Sequence, residues 1–263
     1  MADKNIKPYS VSGPLSAGQI ASFHRDGFVV VPGLIGAELM NEVRRWTEEV
    51  QNWPETPGKH MMYFETADSP KAQRILNRVE NFLPYHDGFN ALAVGALMQG
   101  ACGQLFGEPA VLFKDKINFK MPGGGGFESH QDVQAGWARY AKIHITALVT
   151  IDKSTRENGC LELVPGYHQQ DLIGSEWKPL TEEDVPDDRF IVVEAEPGDA
   201  VFFDSYAPHR SGPNRSSAAR RVLYITYNKL SEGDHLAQYY ADKRANFPPD
   251  CERAPGTKYA FKV

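Results

Sequence analysis

The chain has 263 residues, 41% hydrophobic and 24% charged, with a formal net charge of −6 at pH 7. That length supports one large domain with a full core. The acidic balance, with no Lys/Arg stripe, argues against a nucleic-acid partner, and no run of about 18 apolar residues exists to span a membrane. Cys102, Cys160 and Cys251 have no paired spacing, and the N-terminus has no apolar signal core, so a cytoplasmic protein without disulfides is expected.

Ser16-Ala-Gly-Gln19 has the form of a capping box, opening a helix with Ile20 and Phe23 on one face. Gly27 stops it, and Phe28–Val31 is expected as a buried strand ended by Pro32-Gly33. Residues 36–50 carry Leu39, Val43 and Trp46 at helical spacing, the core-facing side of an outer helix. From Lys59 to His86 aromatic, amide and charged residues mix without a clean period. That stretch is expected as a surface loop or as a wall of a ligand site. Residues 90–106 form an apolar helix ended by Gly107.

Strand patterns follow at 111–121, 142–151, 161–164, 190–193, 200–203 and 221–228, separated by Gly- and Pro-containing turns. In 142–151, Ile143, Ile145, Ala147, Val149 and Ile151 share one face. Residues 234–246 look like a closing helix. Many short strands with punctuating turns predict a mainly β fold with flanking helices, an antiparallel sandwich or jelly roll. The expected organisation is a single domain, 1–263: a mostly helical flank (1–106), a β core (107–230) and a C-terminal helix and tail (231–263).

The stretch Phe127-Glu-Ser-His-Gln-Asp-Val-Gln-Ala-Gly-Trp137 carries the chemistry. On an extended segment His130 and Asp132 point to the same face. With one distant imidazole, His209, they make the 2-His-1-carboxylate set that leaves open positions on a non-heme Fe(II). A bare His-x-Asp is a weak signal, with about half of one match expected by chance in such a chain. His24-Arg25-Asp26 also fits, but it ends a helix before Gly27 and is expected at the surface.

Four stretches in order strengthen the metal reading: Asp26-Gly-Phe-Val-Val-Val-Pro-Gly33, His130-Gln-Asp132, Glu157-Asn-Gly-Cys-Leu-Glu-Leu-Val-Pro-Gly-Tyr-His168, and Pro197-Gly-Asp199 with His209-Arg-Ser-Gly-Pro-Asn214. Together they resemble the phytanoyl-CoA dioxygenase family of Fe(II)- and 2-oxoglutarate-dependent oxygenases. The resemblance implies a double-stranded β-helix, of cupin-like form, with His130, Asp132 and His209 as iron ligands. It implies Arg220 as the partner of the 2-oxoglutarate carboxylate, with Arg215 and Arg221 as alternatives and Ser211 assisting. Asn118, Phe127 and Thr146 match further pocket positions. Fe(II), 2-oxoglutarate and O2 are the implied cofactor and cosubstrates, with ascorbate as an accessory reductant. The implied reaction couples decarboxylation of 2-oxoglutarate to succinate with hydroxylation of a substrate C–H bond. Tyr167 stands where the family usually has Ser, and His168 is taken as structural. His60, His86, His144 and His235 are expected to be hydrogen-bonded or exposed.

An acyl-CoA would want a basic rim that this acidic chain does not advertise, so a small polar substrate is expected. His60–Glu65, Arg74–Phe82 and Gln131–Trp137 are most similar to the (2-aminoethyl)phosphonate and (2-trimethylaminoethyl)phosphonate hydroxylase branch. On that resemblance Tyr63 and Trp137 would face a quaternary ammonium, with Glu65 or Glu80 balancing its charge. Asn77, Arg78 and Asn81 would bind phosphonate oxygens, Gln134 would join the substrate wall, and hydroxylation would fall on the carbon bearing phosphorus. The alternatives are a hydroxylase of an amino acid, betaine or acyl-CoA, and a non-catalytic metal- or ligand-binding sensor. The oligomeric state is left open.

Overall fold

Two antiparallel sheets face each other in a computed structural model that describes residues 11–68, 72–257 and 259. The strands are β1 (Phe28–Val31), β2 (Met61–Thr66), β3 (Arg74–Glu80), β4 (Ala110–Lys120), β5 (Phe127–His130) and β6 (His144–Thr150). Then come β7 (Leu161–Leu163), β8 (Ile191–Val193), β9 (Ala200–Asp204), β10 (His209–Ser211) and β11 (Arg220–Lys229). The larger sheet runs β1-β9-β6-β11-β4-β3-β2 and the smaller β5-β10-β7-β8. This is the expected double-stranded β-helix. No helix among the described residues is long and apolar enough to cross a membrane.

Helices cover the outer face of the larger sheet. The first, α1 (Ala17–Asp26), begins on the Ser16/Gln19 capping box and ends at Gly27 with φ 81°, where an L side chain would be strained. After α2 (Ala37–Gln51), the expected helix over 90–106 is broken into α3 (Asp87–Ala93), a π turn (Ala96–Gly100) and α4 (Ala101–Phe106). Val43, Val50 and Phe89 on these helices pack against Ile145, Ala147, Val149, Phe202 and Ile225 on the sheet. Each such fully buried side chain contributes about 1.5–3 kcal/mol. The alternate residues point between the sheets, where Leu148, Val201, Phe203 and Val222 meet Leu161 and Leu163. All of β6 is therefore buried on both faces.

The stretch 59–86 is not a loop. Its β2–β3 hairpin extends the larger sheet, so strands from the first 106 residues belong to the β core rather than to a helical flank. The alternation was obscured because Met61, Met62 and Tyr63 are buried in succession, and the register shifts between Tyr63 and Phe64. The strands β5 and β10, four and three residues long, are too short to leave a period in the sequence. The last helix, α5 (Leu236–Asn246), is pinned to the sheet by the Tyr240 hydroxyl, which donates to Asp115 Oδ1 at 2.8 Å.

Candidate active site

The pairing of β5 with β10 makes His130 and His209 cross-strand neighbours, their ring centres 4.3 Å apart. A glycine loop permits that pairing. A Cβ on Gly126 would lie 2.5 Å from the Ser211 carbonyl oxygen, too close for any other residue. Strand β5 ends at His130. Gln131 is still extended, but Asp132 opens a 3-10 turn (Asp132–Ala135), so the expected continuous extended segment is cut short. The carboxylate nonetheless faces the imidazoles. Gln131 points the other way, donating to the carbonyls of Asp171 and Tyr206 and accepting from Ile173 N–H, which fixes the turn between the two candidate ligands.

Asp132 Oδ1 lies 4.0 Å from His130 Nε2 and 3.9 Å from His209 Nε2, and one ligand atom from each residue falls within 4.8 Å of the others. His130 Nδ1 lies 2.7 Å from the Glu128 carbonyl oxygen and His209 Nδ1 3.0 Å from that of Ala207. Both contacts place the proton on Nδ1 and leave the Nε2 lone pairs turned inward, the arrangement metal-bound histidines use. Burial, reinforced by His209, pushes the His130 imidazolium down to about 3, so the ring is neutral and ready to ligate. Burial would raise Asp132, but the two imidazoles and Lys116 outweigh it and keep the carboxylate ionised. Two neutral nitrogens and one carboxylate converging on a point fit a divalent iron with open positions. Thr146 Oγ1 sits 3.4 Å from Asp132 Oδ2 and 2.9 Å from Thr226 Oγ1, a support behind the carboxylate.

On β11, Arg220 turns into the space between the sheets, 2% exposed, and its Nε has no partner among the described residues. The Tyr224 phenol lies within hydrogen-bonding reach of Arg220 and Asn118. Arg221 points the opposite way and is bound bidentately by Asp152, and Arg215 is exposed on a loop. Of the three arginines, Arg220 alone is buried with a guanidinium nitrogen that has no partner among the described residues. Ser211 is buried nearby, but its hydroxyl already accepts from Lys120 Nζ at 2.8 Å.

Two cavities flank His130 and Phe127, of about 390 and 450 Å³. Trp137, Lys114, Lys116 and Lys243 line the smaller, with His130 and Asp132. Tyr63, Asn77 and Arg78 line the larger, with His130 but not Asp132. The expected substrate wall is thus split. Tyr63 is unsuited to a quaternary ammonium, because the Arg78 guanidinium already lies 4.4 Å from its ring centre and Phe247 stacks on it. Glu65 is engaged by Asn77 and Gly125 N–H. Asn81 lines neither cavity and holds the turn after β3 at φ 54°. Gln134 is fully buried away from both, accepting from Gln131 N–H and donating to the carbonyls of Ser175 and Lys178. His24 is exposed and Asp26 pairs with Arg25. The His168 ring covers Gly27. His144 departs from expectation: it is fully buried beside Phe113 and Trp137, with no partner for either ring nitrogen among the described residues.

The family model for phytanoyl-CoA dioxygenase (PhyH) matches residues 23–222. The chain belongs to the phytanoyl-CoA dioxygenase family. It is an enzyme of the dioxygenase type. A 2-aminoethylphosphonate dioxygenase from an uncultured bacterium is 42% identical over 249 residues, covering 89% of this chain and 90% of that protein. A methylphosphonate hydroxylase from Gimesia maris is 39% identical over 234 residues, covering 89% and 88%. Among solved structures, EctD from S. alaskensis with 2-oxoglutarate and 5-hydroxyectoine superposes with a TM-score of 0.71 at 20% identity, covering 85% of this chain and 79% of that one. That last likeness speaks to the fold.

Within this dioxygenase-family site, sequence reasoning passed over the lysines. Lys114, Lys116 and Lys120 alternate along β4 and so face the same way, between the sheets. Burial and the neighbouring Lys114 push Lys116 down to about 7, while burial and Arg220 push Lys120 down to about 6. The signal was available as Lys-x-Lys-x-x-x-Lys in a strand whose remaining residues are mostly apolar.

Proposed function

We propose that this chain is an Fe(II)- and 2-oxoglutarate-dependent hydroxylase of a small alkylphosphonate. Its substrate is 2-aminoethylphosphonate or the N-trimethyl form, hydroxylated at the carbon bonded to phosphorus. One observation carries the reading: His130, Asp132 and His209 converge at the wall of a 390 Å³ cavity lined by three lysines, in a chain of net charge −6. A cavity of that size suits a substrate of a few heavy atoms, and its cations suit an anionic head group. The likeness to two relatives named for phosphonates supports the same class.

His130 Nε2, His209 Nε2 and the Asp132 carboxylate would hold the iron, and Arg220 would pair with the far carboxylate of 2-oxoglutarate, Tyr224 and Asn118 beside it. When bound, iron and 2-oxoglutarate supply the oxidising power, with O2 consumed and succinate and CO2 released. The chain contributes binding and orientation. The Glu128 and Ala207 carbonyls lock both imidazoles, Thr146 steadies Asp132, and Arg220 offsets the negative charge left by the iron, Asp132 and a dianionic keto acid. The aromatic rings of Phe127, Trp137 and Tyr239 exclude water from the cavity.

The test is succinate release, with ascorbate as reductant, against a panel of phosphonates, betaines, amino acids and acyl-CoAs. A 1-hydroxylated phosphonate formed in step with succinate, dependent on iron and O2, is the expected result. Coupled hydroxylation of a betaine or amino acid with every phosphonate inert would refute the substrate class. Succinate release by no compound in the panel, with iron bound, would favour a sensor.

A further inference from the structure

Behind the candidate metal site lies a buried concentration of positive charge. Glu80, fully buried on β3, is 2.8 Å from Arg78 Nε, 3.2 Å from Lys243 Nζ and 3.8 Å from Lys114 Nζ. Burial alone would raise its carboxyl, but Lys114, Lys243 and Arg78 hold it well below the usual carboxylate range. Glu80 thus joins side chains of β3, β4 and α5. Another cation stands alongside: Lys116 has no hydrogen bond and no carboxylate within 4.0 Å among the described residues. Its Nζ lies over the rings of Tyr224 and Phe127, 4.5 and 5.8 Å from their centres. An ammonium enclosed like that of Lys116, with no carboxylate beside it, is costly unless an anion joins it. Lys114, Lys116 and Lys243 line the cavity that His130 and Asp132 share. The other carboxylate in its wall, Asp242, accepts from Tyr140 and Gln238 and does not neutralise them.

We propose that Lys114 and Lys116 of β4, with Lys243 of α5, form the subsite that holds the phosphonate head group as its dianion, in place of Arg78, Asn77 and Asn81. The assignment rests on the phosphonate-hydroxylase reading. Lysine suits the task chemically. Each ammonium is a compact charge with three donors and can meet a tetrahedral group from different sides, whereas a guanidinium fork favours planar carboxylates. The subsite therefore selects a doubly charged tetrahedral head group over a singly charged carboxylate of the same length. It also draws the last helix into substrate binding, because Lys243 reaches the cavity from 163 residues beyond Glu80.

The experiment is a binding measurement under anaerobic conditions, on full-length protein loaded with Fe(II) and 2-oxoglutarate and titrated with methylphosphonate. Heat of binding and Trp137 fluorescence report, since that ring lies 5.3 Å from Lys114 Nζ. Lys116→Met and Lys114→Met should each weaken methylphosphonate binding at least tenfold, with the visible iron–2-oxoglutarate band retained. Acetate should bind the wild-type protein at least tenfold more weakly than methylphosphonate. Unchanged methylphosphonate affinity in both variants would overturn the subsite. So would loss of the iron–2-oxoglutarate band in Lys116→Met, which would give that lysine to the cosubstrate. Should either variant fold poorly, Lys243→Met supplies the same comparison from a different element. The two readings fail separately. Phosphonate hydroxylation that survives Lys114→Met/Lys116→Met refutes the subsite alone. Inorganic phosphate bound through Lys116 with no phosphonate hydroxylated refutes the substrate alone.

Discussion

Arg220 is a guanidinium held between the sheets with its Nε unmatched among the described residues, a condition that costs stability until an anion arrives. Arg220→Met should therefore unfold no earlier than the wild type without ligand, yet lose most of the stabilisation that 2-oxoglutarate confers. Thermal unfolding with Fe(II), with and without the keto acid under argon, checks both halves; a retained 2-oxoglutarate shift would rule Arg220 out. A second residue-scale case is Asp204, buried with the Tyr206 N–H donating to it, whose carboxyl burial pushes up to about 7. An acid raised in the fold binds its proton more tightly there than in the unfolded chain. Its contribution is full below about pH 4 and is lost as pH rises toward 7. Asp204→Asn should flatten the decline of stability between pH 5 and 8 and raise the melting temperature at pH 8. An unchanged pH profile would show that Asp204 does not titrate in this window.

Among elements, β5 and β10 matter most for the chemistry although they are the shortest strands that reach the site. Their pairing sets the His130–His209 spacing, and it requires a backbone approach at Gly126 that leaves no space for a methyl group. Gly126→Ala should displace β10 and weaken Fe(II) binding several-fold or more, measured by iron titration in the absence of oxygen. Wild-type iron affinity would mean that the loop absorbs the methyl without moving β10. The segment after β7 depends on Gln134, whose amide joins the Asp132 turn to Ser175 and Lys178. Gln134→Ala leaves buried polar groups unpaired at about 1–3 kcal/mol each. It should open the segment 171–180 to proteolysis and bring Trp177, at the edge of the lysine-lined cavity, into motion. Unaltered cleavage would show that other contacts hold that segment.

At the scale of the whole molecule, the Glu80 cluster ties the β2–β3 hairpin, the central β4 and the final helix into one unit. Removing one partner of a buried ionic network is destabilising by about 3–5 kcal/mol, because the remaining charges stay buried. Glu80→Gln should show a loss of that order in denaturant unfolding, with methylphosphonate partly restoring stability by supplying the missing negative charge. Since the Glu80 carboxyl is depressed, its contribution is full above the unfolded value of about 4.5 and is lost only as pH falls well into the acid range. A Glu80→Gln protein as stable as the wild type at pH 7 would mean that the cluster gives no net stabilisation.

By itself the sequence determined the outline of the fold and the candidate metal ligands. Capping boxes, glycine stops and alternating apolar runs are local signals, and α1, β1, β6, β9 and β11 follow from them directly. The order His130–Asp132, then His209, then Arg220 is equally a property of the chain. Tertiary structure decided what local pattern cannot carry. It showed that residues 61–80 are strands, since a hairpin buried on both faces and bulged at Tyr63 shows no period. It set Arg220 and Arg221 apart, since a strand sends neighbours to opposite faces and Asp152 engages Arg221 while Arg220 stays buried between the sheets. It also gathered Lys114, Lys116 and Lys243 around one cavity. In sequence each is an ordinary charged residue, and only the pairing of β3 with β4 and the return of α5 turn them into a single buried field.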